Sequence, residues 1–132
     1  MSEAFTDQCV ELLSPLGPVT VRRMFGGRGF YVDGLFMALI ADGQFFLKAD
    51  DLTRDRFVAA GCVPFSFGTK HGERVVTGYY SAPEEALESP PLMLPWARLA
   101  FEAALRAANA KAKKSAAAER KPAGQKAASR RR

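Results

Sequence analysis

The sequence predicts an α+β domain: an antiparallel β-sheet, made of a meander and a second hairpin, packed by an N-terminal helix and C-terminal helices. Two observations carry that expectation. Asp33-Gly34 and Asp42-Gly43 punctuate a run of aromatic and aliphatic residues between Gly29 and Lys48. Asp-Gly suits type I′ hairpin turns, whose two central residues need positive φ. Before and after that run, apolar residues recur at helical spacing. A length of 132 residues suits one domain with a single modest core.

The elements follow in order. Phe5, Cys9, Leu12, Leu13 and Leu16 line one face of a helix over residues 3–14, with Ser2 as N-cap. Ser14-Pro15 and Gly17-Pro18 end it. Val19–Met24 is β-branched and alternating, a first strand. Gly26, Gly27 and Gly29 then loosen the backbone as a turn or bulge leading into a three-stranded meander at 29–32, 35–41 and 44–48. Asp50 or Asp51 opens a second helix over 51–60, with Leu52 and Phe57 on its inner side and Gly61 as its C′ residue. Pro64–Gly68 and Arg74–Tyr80 form the second hairpin across Thr69–Glu73. Ser81-Ala82-Pro83-Glu84 reads as a capping box for a short helix over 82–88.

A last helix starts near Pro90–Leu92. Leu92, Trp96, Leu99, Ala100, Ala103 and Ala107 form its apolar face, with Trp96 as the main anchor and Pro95 within the first turn or so. From Ala110 onward the chain has no Leu, Ile, Val or aromatic residue, and this composition predicts disorder past Ser115. The domain is therefore expected to span residues 1–109, with a basic tail over 110–132.

Charge divides the chain in the same place. The net +5 combines a mildly acidic body with a strongly basic end. Residues 1–106 hold ten Lys/Arg against thirteen Asp/Glu, a net of −3, and residues 107–132 hold nine against one, a net of +8. Basicity points to nucleic acid only in that tail, where Lys111, Lys113, Lys114, Arg120, Lys121, Lys126, Arg130, Arg131 and Arg132 either neutralise phosphates weakly and without sequence preference or form a solvated segment that only solubilises the chain. No apolar run reaches the ~18–20 residues of a membrane helix. Met1–Asp7 lacks the basic start and apolar stretch of a signal peptide. Cys9 and Cys62 suit isolated thiols in a reducing compartment. A cytoplasmic protein without membrane association is expected.

The residues do not assemble a reactive centre. His71 is the single histidine and falls in a turn, without the nucleophile and orienting group that a triad requires. Two distant cysteines and one histidine fall short of a zinc site. Glu84-Glu85 and Asp50-Asp51 sit at helix starts, where they complement the dipole. Gly26-Gly27-Arg28-Gly29 lacks the spacing of a phosphate loop. Arg28-Gly29-Phe30-Tyr31-Val32 echoes an RNA-recognition signature, but Tyr31 stands where Gly or Ala is required and the element order is a meander. Tyr31, Phe45, Phe46, Tyr79 and Tyr80 accordingly read as core. No catalytic, cofactor-binding or metal-binding residue and no cofactor are expected.

In the order and spacing of its pieces, the chain resembles the N-terminal domain of the TfoX (Sxy) competence regulators. The pieces are Arg22–Gly27, the Asp33-Gly34 turn with Phe36–Ile40, Phe45–Lys48, Gly61–Phe65, Tyr79–Glu85 and Trp96-Ala97, spread over residues 3–108. The resemblance implies an antiparallel sheet packed by helices. It also implies a non-enzymatic regulatory or adaptor role, as in transcriptional co-activators of DNA-uptake genes that work with the cyclic-AMP receptor protein. Full-length regulators carry a second, helical domain; here a basic low-complexity stretch takes its place. A protein partner is implied, from the transcription machinery or a regulator of that receptor type, with Arg22, Arg23 and Arg28 as the candidate partner surface. An exposed edge strand of the second hairpin offers a route to a dimer. The alternative reading is a small-ligand or enzymatic domain with a pocket near Gly26–Gly29 and Tyr79-Tyr80.

Overall fold

The computed structural model describes residues 3–24 and 26–119. Both Asp-Gly pairs take the left-handed turn conformation: Asp33 and Gly34 have φ of 54° and 77°, Asp42 and Gly43 of 50° and 74°. These turns join β2 (Gly27–Val32), β3 (Leu35–Ala41) and β4 (Gln44–Lys48), and β1 (Val19–Met24) precedes them. After α2 (Arg54–Ala59) come β5 (Pro64–Thr69) and β6 (Gly72–Ser81). One six-stranded antiparallel sheet results, in the order β1-β2-β3-β4-β6-β5. The fold is the expected α+β architecture, with a meander one strand longer than the Asp-Gly spacing alone predicts. β2 begins at Gly27, where the sequence suggests a turn or bulge, because Met24 already pairs with Gly27.

The glycines of that stretch are needed for space. A Cβ on Gly27 would lie 2.1 Å from the Ile40 carbonyl oxygen, so only glycine lets β2 approach β3 there. A Cβ on Gly29 would meet Met24 Cε at 2.4 Å and Phe36 Cε1 at 2.8 Å. Its absence lets those two side chains converge over the strand.

Helices cover one face of the sheet. α1 (Glu3–Leu13) buries Cys9, Leu12 and Leu13, and α3 (Pro90–Glu119) crosses β3 and β4 beside it. Phe30, Ala38, Ile40, Phe45, Leu47 and Tyr80 meet them from the sheet, joined by Met37 at the irregularity of β3. Burial pushes the Cys9 thiol up to about 12, so this cysteine acts as an inert core residue. The buried face of α3 is Met93, Ala97, Ala100, Ala103 and Ala104. The expected stripe meets this face at Ala100 and Ala103 and departs from it elsewhere: Leu92 and Ala107 are exposed and Trp96 is only half-buried. Small alanines are selected because the helix lies close to the sheet, so the most apolar stripe and the closest-packed stripe differ.

α2 closes one end of the core with Phe57, whose ring is 5.3 Å from Trp96 and 6.0 Å from Tyr80. Leu52, expected on the inner side, is 72% exposed. It precedes the helix in a turn built on Asp50, whose carbonyl accepts from Thr53 and Arg54 N–H and whose carboxylate accepts from Leu52 N–H. The C-terminus of α2 fulfils its expectation. Gly61 has φ 83°, its N–H donates to Val58 and that of Cys62 to Phe57, which is a Schellman closure.

Ser81 is a strand residue instead of a cap: its hydroxyl accepts from Val63 N–H at 3.0 Å and ties β6 to the start of β5. A 3-10 turn over Glu84–Glu88 follows Pro83 without a side-chain cap. α3 continues to Glu119, beyond the point at which composition predicts disorder. Ala, Lys, Ser and Glu prolong a helix that packing has already nucleated, and propagation needs no apolar face.

Asp50 also clamps α3. Arg106 donates through Nε to Oδ2 at 2.7 Å and through Nη2 to Oδ1 at 3.0 Å. This paired hydrogen bond, more than any other contact, holds the Asp50 carboxyl below its ordinary value of 3.8. A lowered folded-state value means that the stabilisation is complete at neutral pH and disappears as pH falls through that value. Both side chains are part-exposed, so solvent screening limits the contribution to about 1 kcal/mol. Asp50→Asn should lower stability by that amount at pH 7 and flatten its decline between pH 5 and pH 2. Urea melts across that range measure both.

Candidate functional site

Among the described residues, the second face of the sheet has no helix packed on it. Tyr31, Phe36, Phe46, Lys48 and Tyr79 point to that side, as does Arg22 from the edge strand β1. Three of the aromatic residues form a row. The Tyr31 and Phe36 ring centroids are 5.2 Å apart, and those of Phe36 and Tyr79 are 5.8 Å apart. A cation sits over each end: Arg22 Cζ lies 5.5 Å from the Tyr31 centroid, and Lys48 Nζ 4.9 Å from that of Tyr79. Burial pushes the Tyr79 phenol up to about 12, with a smaller contribution from Tyr31, so it stays a neutral hydroxyl at physiological pH.

This arrangement corrects the reading of the aromatic residues. Phe45, Phe46 and Tyr80 are buried as expected, but Tyr31 and Tyr79 are half-exposed on the open face. Adjacent Tyr79 and Tyr80 face opposite sides, since successive strand side chains alternate. Composition alone does not reveal which face a second layer covers.

The β5–β6 hairpin borders the row. Its register shifts at Pro64/Phe65, and past that point Phe65 packs on Phe46 with centroids 5.2 Å apart. A 660 Å³ cavity opens between the hairpin and the sheet, lined by Gly26, Ala41, Asp42, Phe65, Ser66 and Phe67. It takes Gly26 from the expected pocket but neither Tyr79 nor Tyr80. Among the described residues, Asp42 is the ionisable group in this lining.

The three arginines of the expected partner surface do not share a face. Arg22 is exposed on the open side. Arg23 and Arg28 are register partners facing the other way, and Arg28 is half-buried, 3.2 Å from the Glu3 carboxylate. Only Arg22 joins the aromatic row. Lys48, which the sequence did not single out, supplies the matching charge. Its signal is placement: Lys48 is the register partner of Tyr79.

Of the basic tail, Lys111, Lys113 and Lys114 are exposed on α3, and Lys113 lines a shallow depression with Arg106 and Asn109. Arg120, Lys121, Lys126, Arg130, Arg131 and Arg132 lie outside the described residues. His71 is at the exposed tip of the β5–β6 hairpin, away from Cys62 and Ser81. Among the described residues no group of three or more His, Cys, Asp or Glu is placed to hold a metal ion. Burial raises the Cys62 thiol, which opposes thiolate formation. No helix among the described residues is long and apolar enough to cross a membrane.

The family model described as the TfoX N-terminal domain matches residues 11–104, from the last turn of α1 into α3, covering the whole sheet. Comparison with curated proteins gives no significant match.

Proposed function

Because the chain belongs to the TfoX N-terminal domain family, we propose that it is a non-enzymatic regulatory or adaptor domain that also holds nucleic acid through its basic C-terminal end. In this reading it acts in the cytoplasm, with a component of the transcription machinery or a cyclic-AMP receptor protein-type regulator as its protein partner. Control of DNA-uptake genes is the corresponding role. The observation that carries the nucleic-acid part is the extension of α3. It carries Lys111, Lys113 and Lys114, all exposed, on a helix that continues past the packed residues, and among the described residues no ion pair engages them. Lysines so placed neutralise phosphates and release counterions without reading sequence.

A gel-shift titration of a 20-base-pair duplex at several salt concentrations tests this. Replacing Lys111, Lys113 and Lys114 with Gln should weaken binding. It should also reduce the log–log salt slope by about 2–3, since each phosphate contact contributes about 0.9. An unchanged slope would remove α3 from the nucleic-acid contact.

A further inference from the structure

We propose that the helix-free sheet face is a binding site for single-stranded nucleic acid, with the Tyr31–Phe36–Tyr79 row as its stacking platform. This site is separate from the α3 lysines and does not rest on the family's regulatory role. Three features of the face converge on this ligand.

The first is the rings themselves, which form a continuous row across β2, β3 and β6 and are half-exposed where core aromatic residues would be covered. Gly29 is part of this construction, because a Cβ there would collide with Phe36 and with Met24. The second is the pair of cations. Arg22 and Lys48 lie over the two terminal rings, within reach of a backbone that follows the row. On binding, each cation moves from its ring to a phosphate and leaves the ring face to a base. The third is charge. β1, β2, β3 and β4 carry no Asp or Glu, and the one carboxylate of β6, Glu73, lies six residues from Tyr79 near the hairpin tip, where it accepts from the Ser66 hydroxyl. A second copy of the chain would bring Arg22 and Lys48 against like charges.

Rings and cations interleaved on a sheet suit bases that are free to splay out, and a duplex cannot offer them. This separates the site from the α3 lysines, which meet phosphates of either form. A carboxylate-rich peptide would satisfy the cations but leave the ring faces without stacked partners.

The test uses the full chain carrying Lys111, Lys113 and Lys114→Gln, with fluorescence anisotropy of a labelled twenty-nucleotide oligo-dT and of a twenty-base-pair duplex. Tyr31→Ala with Tyr79→Ala should weaken oligo-dT binding at least about tenfold and leave the duplex unchanged, since each stacked base contributes roughly a factor of ten. Phe at both positions should retain oligo-dT binding. Arg22→Gln with Lys48→Gln, a change of two surface cations, should also weaken it, and melts of every variant report folding. Retained affinity in the Ala and Gln variants would overturn the proposal. So would an equal loss for the duplex, or displacement of oligo-dT by poly-L-glutamate at matched charge. Failure of the α3 lysines to affect duplex binding would leave this outcome untouched.

Discussion

Phe57→Ala should destabilise the protein by about 3–5 kcal/mol, the range for emptying a fully buried aromatic site. Phe57 has no exposed surface and is in ring contact with both Tyr80 and Trp96, so it joins α2, β6 and α3 in one cluster. α2 is only six residues long and cannot hold itself together without that contact. The cavity would not collapse easily, because the Schellman turn at Gly61 fixes the backbone on one side. Equilibrium urea unfolding followed by far-UV circular dichroism measures the loss. A change below about 1 kcal/mol would show that α2 is peripheral to the core. Trp96, the anchor suggested by the apolar pattern of α3, is half-buried and should give the smaller effect.

Gly27→Val should destabilise by about 3 kcal/mol or more, through a different cause. The new Cβ would overlap a backbone carbonyl, that of Ile40, and a backbone cannot rotate away as a side chain does. Relief requires separating β2 from β3 at the register pair Arg28–Ile40. Overpacking usually costs about 1–3 kcal/mol, and a rigid backbone neighbour places this site at the upper end. Gly29→Ala makes an informative contrast. Its nearest neighbours are the tips of Met24 and Phe36, which can shift, so it should cost less while disturbing the aromatic row. Thermal melts of the two variants compare them; a milder Gly27 variant would show that β2 and β3 can part without cost.

Much of the fold was legible because its signals are local. Asp33-Gly34 and Asp42-Gly43 fix two hairpins through backbone conformation alone, and they also fix which side chains pair across β2, β3 and β4. The role of Gly27 was hidden because the neighbour that requires a glycine, Ile40, lies thirteen residues away in sequence. Ser81 matched a capping box locally, yet it is claimed by the long-range pairing of β6 with Val63. The candidate site was the least legible part. Arg22, Tyr31, Phe36, Lys48 and Tyr79 come from five different strands, and only the sheet order brings them together. Alternation alone made Tyr31 and Tyr79 look like core, because an uncovered sheet face leaves no mark in a single strand. The continuation of α3 to Glu119 reflects helix propensity, where the absence of apolar residues had suggested disorder.

Backbone amide NMR of the full chain, titrated with oligo-dT, tests most directly whether this domain works by surface contact on its open face. The shifts should cluster at Arg22, Tyr31, Phe36, Lys48 and Tyr79, with a second group at Lys111–Lys114. Shifts confined to the cavity between Asp42 and Phe67, or to the helix-covered face, would contradict it.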